Sequence, residues 1–224
     1  MAKGRKGKNT SKREEVELLD ISSWSPRTGL GKKVKAGEIS SIDQILDEGS
    51  VILEPEIVDS LVPEMEVETL SVSPTQRSTD SGRKMQFRAV VVIGDKKGHV
   101  GIGVGKSEEV KPALDYAMKD ARKHMVHLKF GCGSWECRCG QPHSIPQKLV
   151  GKYGGTTVNL KPAPKGLGLA ASDVVKKVLS IAGLRDVWSS AEGSTSNVYN
   201  TAMATVAALD SINRKKPMPG GEKA

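Results

Sequence analysis

The segment from residue 85 to residue 124 constrains the fold more than any other part of the sequence. A nearly continuous apolar strand, Met85–Gly94, precedes the polar turn Asp95–Gly98 and a second strand, Val100–Val104, in which glycine alternates with apolar residues. Two apolar strands joined by a short polar turn predict an antiparallel hairpin. Apolar residues at helical spacing follow, which indicates a helix that Ser107 caps and that packs on the hairpin.

Weaker patterns on both sides extend this segment into two modules. Val67–Val72 alternates as a strand, so residues 67–125 are expected to form a three-stranded antiparallel sheet with helices on one side. In residues 126–212, a strand at Thr156–Leu160 precedes a helix that begins after Ser172. The predicted fold class is α+β, with two small α/β sandwich domains.

Three further segments lie outside these modules. Residues 1–13 carry six basic side chains and no acid, which predicts a disordered basic arm that is either a solvated tail or a segment that orders on RNA. Residues 14–66 are expected to form an acidic helical extension, with short helices starting after Ser41 and at Pro55. Residues 213–224 resemble a second, shorter tail.

The charge is distributed unevenly along the chain. Residues 38–76 contain ten acidic side chains and no lysine or arginine. The other residues carry 34 basic and 16 acidic side chains, a net charge of +18, whereas the whole chain has +8. This uneven distribution of charge favours a protein that binds a polyanion over one with an inert basic surface. The acidic segment is either the solvated side of its helices or a surface for a basic protein partner.

Several classes of protein are excluded by composition. The longest strongly apolar run, Ala89–Ile93, is far shorter than the ~20 residues that span a bilayer. The N-terminal residues are basic and no apolar stretch follows them, so a secretory signal is not expected. Three cysteines argue against a disulfide scaffold and for a reducing, cytoplasmic location. Recognised hydrolase motifs are absent from the sequence, so an enzyme is not predicted.

The segment that ends in Gly105-Lys106-Ser107 resembles a phosphate-binding loop only superficially. A P-loop requires glycine at the position that Val100 occupies, and a dinucleotide-binding loop requires glycine where Lys106 stands. Nucleotide binding is therefore not expected. The alternating glycines instead predict that this strand lies close to something bulky, either its own helix or a nucleic-acid backbone.

One glycine-rich excursion contains all three cysteines. The strands Val126–Cys132 and Ser144–Val150 are expected to pair around it. Thiolate and imidazole groups that converge tetrahedrally bind zinc, but the spacing is not that of a standard pair of CxxC motifs. The alternative is that reduced cysteines pack as small hydrophobic residues. The candidate ligands of a structural zinc ion are Cys132, Cys137, Cys139 and His143.

Basic side chains concentrate at the predicted turns and strand ends. Two adjacent positive turn tips suit contact with phosphates. The predicted strands are too poor in aromatic residues for a base-stacking platform, so recognition through phosphates and RNA shape is expected. The candidate RNA-binding residues are Arg77, Arg83, Lys84, Arg88, Lys96, Lys97, His99, Lys106, Lys152 and Lys165.

Long segments of both modules resemble the small-subunit ribosomal protein S-five family. In the first module the resemblance is carried by FRAVVVIGDKKGHVGIGVGKSEEVKPALDYAMKDARKHM. In the second it is carried by GTTVNLKPAPKGLGLAASDVVKKVLSIAGLRDVWSSAEGST and NVYNTAMATVAAL. Together they cover about residues 67–212. The archaeal and eukaryotic branch is indicated by WSPRT-x-LGK, PEIVDSLVP and GCGSWECRCGQPHS.

The resemblance implies a double-stranded-RNA-binding-like first domain and a second domain of the ribosomal S-five type. It also implies a non-enzymatic protein that binds small-subunit rRNA near the mRNA entry channel, helps subunit assembly and influences decoding accuracy. The implied partners are rRNA, mRNA and the small-subunit proteins S-four, S-eight and S-three. An RNA-binding or strand-separating factor outside the ribosome is the alternative.

The resemblance also assigns two turns. The family loop between the first two strands lies against rRNA and corresponds to Arg77–Arg83, where Asp80 departs from a more basic pattern. The next turn of the family corresponds to Asp95–Gly98.

Overall fold

The structure is a computed structural model that describes residues 24–137 and 139–214. The predicted basic arm and most of the C-terminal tail lie outside these residues. The helices are α1 (Gly29–Ala36), α2 (Ile42–Asp47), α3 (Glu56–Leu61), α4 (Val110–Lys123), α5 (Asp173–Ala182) and α6 (Val198–Arg214). The strands are β1 (Glu66–Thr79), β2 (Gly82–Gly94), β3 (His99–Ser107), β4 (Met125–His127), β5 (Leu149–Tyr153), β6 (Thr156–Pro162), β7 (Leu169–Ala170) and β8 (Val187–Gly193).

The first sheet is antiparallel and has four strands in the order β1-β2-β3-β4. The sequence predicted its first three strands, and the short β4 is an addition. Helix α4 begins later than predicted, because Ser107 is the last residue of β3 and Glu109 is the N-cap. Val110, the first residue of the helix, is 40% exposed.

Glycines on β3 allow α4 to lie very close to the sheet. A Cβ atom at Gly103 would lie 2.1 Å from the carbonyl oxygen of Ala117. Gly101 and Gly105 meet the helix backbone in the same way. Of the two explanations that the sequence left open for these glycines, the structure supports close packing against the chain's own helix.

Strand β2 is buried on both faces. Ala89, Val91 and Ile93 pack with the alanines of α4. Val90 and Val92 belong to a different core cluster that includes residues of the second sheet and of α5 and α6. A strand buried on both faces requires a continuous apolar run. The predicted helical layer therefore covers only one face, and the second domain covers the other.

The second sheet has the order β5-β6-β8-β7, in which only the β7–β8 pair is parallel. The predicted strand at Thr156–Leu160 is β6, and the helix predicted after Ser172 is α5. The predicted pairing of Val126–Cys132 with Ser144–Val150 is wrong. Those segments share a single bridge, between Gly131 and Ser144, and β5 pairs with β6 instead.

The acidic extension packs against the first domain through an apolar cluster and a buried ion pair. Ile45, Ile57 and Val58 are fully buried in this cluster, which also includes Met125. Asp59 of α3 and Arg122 of α4 form an ion pair at 2.7 Å, with both side chains at most 4% exposed. Burial raises the pKa of Asp59, and the charge of Arg122 opposes that rise.

Other acidic side chains of the extension also pair within the chain. Glu54 accepts hydrogen bonds from the backbone N–H groups of Arg27 and Thr28 at 2.9 and 2.7 Å and from Trp24 Nε1 at 3.0 Å. Three more glutamates, spaced two residues apart from the end of the extension into β1, face lysines of the two domains. The ion pairs are Glu64–Lys97, Glu66–Lys96 and Glu68–Lys177.

A hydrogen-bonded histidine connects α2 to the turn between β2 and β3. His99 Nδ1 lies 2.6 Å from Asp95 Oδ2, and His99 Nε2 lies 2.8 Å from Asp43 Oδ1. The ring stacks on His127 at 5.2 Å. Burial disfavours the charged ring, but the hydrogen bonds and charges of Asp95 and Asp43 outweigh burial and raise the pKa of His99.

The close approach at Gly103 predicts a large difference between two glycine substitutions. Gly103→Ala should lower the free energy of unfolding by about 1–3 kcal/mol, because its Cβ overlaps the α4 backbone. Gly155→Ala is the control, since a Cβ at Gly155 meets nothing within 4 Å, and it should change stability by less than about 0.5 kcal/mol. Urea unfolding of both variants measures the difference, and equal effects would contradict the packing described here.

The raised pKa of His99 predicts that stability falls as pH rises. The folded protein favours the protonated ring, so this contribution is complete below the unfolded pKa of about 6.5 and disappears as pH rises through the higher folded pKa. His99→Gln should flatten the dependence of the urea midpoint on pH above about 6.5. His124→Gln is the control, because that side chain is 65% exposed. If His99→Gln leaves the pH dependence of the wild-type midpoint unchanged, His99 is not the source of that dependence.

Candidate nucleic-acid interface and metal centre

The β1–β2 hairpin extends beyond the rest of the first sheet as a two-stranded ribbon. Strand β3 pairs with β2 only from Phe87 to Gly94, so residues 73–86 have no third strand beside them. Nearly all of these residues are exposed. At the tip, the Asp80 carboxylate accepts a hydrogen bond from the Ser81 N–H at 3.0 Å, so Asp80 has a role in the turn itself.

The ribbon carries cations that lie opposite each other. Arg77 is the register partner of Lys84, and Arg83 is one position away. Like charges placed directly opposite each other on a sheet are destabilising. Among residues 24–137 and 139–214, the ion pairs found include no acidic partner for these three side chains. A polyanion on the ribbon would relieve this repulsion.

The second predicted turn is neutralised within the chain. Lys96 pairs with Glu66, and Lys97 Nζ lies 3.3 Å from Glu64 Oε2. His99 is only 8% exposed. The lysines of the second turn are therefore not free cations like those of the ribbon.

The other predicted RNA-binding residues lie in three different places. Arg88 is half-buried, and its guanidinium lies 5.0 Å from the centre of the Tyr199 ring. Its register partner Lys106 is exposed on β3, and Lys152 is exposed on β5. Lys165 is exposed in the loop between β6 and β7.

The four candidate metal ligands converge. Cys132 Sγ lies 3.6 Å from Cys139 Sγ, and Cys137 Sγ lies 3.6 Å from His143 Nε2. All four ligand atoms lie within 4.8 Å of one another, so this group could hold a metal ion. Zinc bonds of about 2.0–2.3 Å imply separations of about 3.3–3.8 Å between tetrahedral ligands, and both measured distances fall in that range.

Backbone contacts fold the cysteine excursion back on itself. Gly131 and Ser144 exchange both of their backbone hydrogen bonds at 2.9 Å, and the Gly133 N–H donates to the Ile145 carbonyl at 3.1 Å. These contacts bring His143 back to the cysteines that precede it. Trp135, between two of the cysteines, is 88% exposed.

Asp186 lies behind the cluster and orients its histidine. Asp186 Oδ2 lies 2.9 Å from His143 Nδ1, which leaves Nε2 directed at the cysteines. The other oxygen, Oδ1, accepts from the N–H groups of Gly166 at 3.0 Å and Gly168 at 2.8 Å. A carboxylate that fixes a ligating histidine in this way is typical of protein metal sites.

The cysteines differ in their acid–base properties. The hydrogen bond from Cys139, followed by the backbone N–H of Lys165, lowers the pKa of Cys137 to about 6. Burial, together with the neighbouring sulfurs, raises the pKa of Cys132 to about 11.

Sequence reasoning found the four ligands but missed the residues behind them. Asp186 lies 43 residues from His143 in the chain, and the motif contains no signal for it. Arg185 lies beside the cluster and was also missed, because a lone arginine after a helix has no distinctive pattern.

A second group of potential ligands consists of Asp43, His99 and His127, whose ligand atoms also lie within 4.8 Å of one another. Both ring nitrogens of His99 already have carboxylate partners. We therefore describe this group as the contact between α2 and the turn rather than as a metal centre.

Comparison with known proteins identifies the family. Residues 65–129 match the family model described as ribosomal protein S5, N-terminal domain, and residues 151–218 match that of the C-terminal domain. The chain belongs to the ribosomal protein S5 family. The predicted resemblance is thereby confirmed, as is the α+β class of its two domains.

Relatives in this family come from archaea. One, from Methanocaldococcus jannaschii, is named small ribosomal subunit protein uS5 and is 51% identical over 200 residues, which cover 89% of this chain and 92% of that protein. Another, of the same name, from Methanospirillum hungatei, is 50% identical over 195 residues, which cover 87% of this chain and 95% of that protein. The predicted archaeal type is confirmed.

Membership of the S5 family also decides the class of protein. The chain is a ribosomal protein and not an enzyme, as the sequence predicted. Among the residues that the structure describes, no helix is both long enough and apolar enough to cross a membrane.

Proposed function

We propose that the chain is a structural constituent of the small ribosomal subunit that binds small-subunit rRNA near the mRNA entry channel. In this role it supports subunit assembly and translational accuracy. The names of its archaeal relatives support the assignment to the small subunit. Its proposed location is the cytoplasm, on the ribosome.

The observation that carries RNA binding is the exposed ribbon of residues 73–86. Its cations Arg77, Arg83 and Lys84 lie close together and face solvent without acidic partners in the described part of the chain. Cations that neutralise phosphates release counterions, which supplies much of the affinity for nucleic acid. Because side chains cannot read the deep A-form groove, phosphate contact and shape suit a ribbon of this kind.

The remaining assignments extend this proposal. The proposed neighbours are mRNA at the entry channel and the small-subunit proteins S-four, S-eight and S-three. The proposed units are a basic arm (1–13), the acidic extension (14–66), a double-stranded-RNA-binding-like domain (67–125), a C-terminal ribosomal S-five-type domain (126–212) and a tail (213–224).

Removing two ribbon cations should make RNA binding less sensitive to salt. For the free protein on small-subunit rRNA, the slope of log K against log salt changes by about 0.7–0.9 for each phosphate that is no longer neutralised. Arg83→Ala combined with Lys84→Ala should flatten the slope by up to about two units. Lys119→Ala with Lys123→Ala, on the exposed face of α4, is the control and should retain the wild-type slope. An unchanged slope in the ribbon variant would exclude these residues from the RNA footprint.

Sedimentation separates the ribosomal role from an extra-ribosomal one. Tagged protein expressed in an archaeal host should co-sediment with small subunits in a sucrose gradient. An RNA-binding or strand-separating factor that acts outside the ribosome would remain near the top of the gradient, which would overturn the proposal.

We also propose that the Cys132, Cys137, Cys139 and His143 cluster holds a structural zinc ion. The convergence of the four ligand atoms within 4.8 Å of one another supports this, as does the carboxylate of Asp186 behind the histidine. A structural zinc ion supplies folding free energy directly, because the unfolded chain has no preformed site. Here it would close the excursion against the loop that contains Gly166 and Gly168.

The zinc proposal predicts one metal ion per chain. Protein purified under reducing conditions should contain one equivalent of zinc by elemental analysis, and cobalt substitution should produce thiolate-to-metal absorption. His143→Gln should weaken metal affinity at least tenfold by removing one ligand, whereas the exposed His124→Gln should not. Protein that takes up no zinc or cobalt in reducing buffer would contradict the proposal.

A further inference from the structure

A cleft of about 790 Å³ lies between the two domains, beside the cysteine cluster. One wall is the β2–β3 turn, and the others are the cysteine excursion, the loop after β6 and the segment that follows α5. Its charged lining residues are Lys96, Lys165, Arg185 and Asp186. Three cations against one carboxylate give this lining a net positive charge.

Two of these cations are available to a ligand. Lys96 pairs with Glu66, whereas Lys165 Nζ donates to the neutral amide oxygen of Gln141 at 2.9 Å and has no ion pair within the described residues. Arg185 is exposed, and the ion pairs found in residues 24–137 and 139–214 do not include it. The planar guanidinium donates two parallel hydrogen bonds to a phosphate, which makes arginine well suited to this ligand.

The single carboxylate of the cleft is already fully used. Asp186 is 4% exposed, and its two oxygens accept from the Gly166 and Gly168 amides and face His143. Three such partners stabilise its negative charge inside the protein. Because the two glycine amides are occupied, a ligand in the cleft is bound by side chains rather than by a backbone nest.

The cysteine cluster positions the backbone of both available cations. On the side of Lys165, the Asp186 carboxylate that contacts His143 also accepts from the N–H of Gly166, the next residue in sequence, at 3.0 Å. The Arg185 N–H donates to the His143 carbonyl at 3.2 Å. Contacts of His143 therefore reach the backbone beside each cation, and the two cations are brought to the same cleft from segments that lie 20 residues apart. Such preorganisation lowers the entropic cost of binding.

We propose that this cleft is a second RNA contact, in which Arg185 and Lys165 hold a phosphodiester group of the RNA backbone. The inference rests on the proposed function as an rRNA-binding protein and adds a site at the end of β2 that is remote from the ribbon tip. Free inorganic phosphate offers the same chemistry, but a phosphodiester of a bound RNA has the higher local concentration once the ribbon is engaged.

The test compares variants of the full, zinc-loaded chain on small-subunit rRNA transcribed in vitro. Arg185→Gln combined with Lys165→Gln should weaken binding and flatten the salt slope by about one unit, because one or two phosphates are no longer neutralised. Lys119→Gln with Lys123→Gln is the matched control for removal of two exposed positive charges. Arg185→Lys, combined with wild-type Lys165, should retain the slope but weaken affinity, because the planar fork is removed.

Three results would overturn the inference. If wild-type protein binds rRNA and the Arg185/Lys165 variant binds with the same slope and affinity, the cleft is not an RNA contact, while the proposed function stands. If inorganic phosphate binds the wild type but not the variant, and leaves the rRNA affinity of the wild type unchanged at matched ionic strength, the cleft takes free phosphate instead of RNA. If the wild type does not bind rRNA at all, the proposed function itself fails. Circular dichroism and zinc content equal to wild type show that the variants fold.

Discussion

The burial of β2 on both faces is the constraint on which the rest of the structure depends. One face of the strand packs on α4, and the other shares a core with α5, α6 and the second sheet. The two domains therefore have a common apolar core and a defined relative position. That position brings the β2–β3 turn to the loop after β6, and the positive cleft is formed between them.

Electrostatic pairing within the chain separates the cations into two groups. Glutamates at positions 64, 66 and 68 neutralise Lys97, Lys96 and Lys177, and Asp59 neutralises Arg122 in the interior. Four of the ten acidic side chains of residues 38–76 thus pair with lysine or arginine of the same chain, a possibility that neither sequence interpretation included. The exposed pairs contribute little stability individually, since solvent screens them. Arg77, Arg83 and Lys84 of the ribbon and Lys165 and Arg185 of the cleft are among the cations that have no acidic partner in the described part of the chain.

The local sequence pattern predicted most of the helices and strands. The predictions that failed depended on contacts between residues that are far apart in the sequence. The hairpin, α5 and the short helices that follow Ser41 and Pro55 result from turns and apolar spacing that lie close together in sequence, although the side chains of Ser41 and Ser172 form no capping hydrogen bond. The start of α4 was wrong because β3 continues through Ser107, whose backbone pairs with Phe87. The strand pairing around the cysteines was wrong because the second sheet takes up β5, which local pattern could not show.

The same difference between local pattern and long-range contact applies to the candidate metal site. The four cysteine and histidine ligands lie within twelve residues, so their chemistry was visible in the sequence. Asp186 could not be assigned, because its role depends on contact with His143 and with two glycine amides from a third segment. Asp186 links the candidate metal centre to the cleft proposed to bind RNA. Asp186 joins His143 to the loop that contains Lys165, and it is next to Arg185 in sequence. The geometry of the cleft therefore depends on whether the cysteine cluster is closed. A zinc ion in this protein would therefore act on RNA binding without touching RNA, because it fixes the backbone from which the two cations extend.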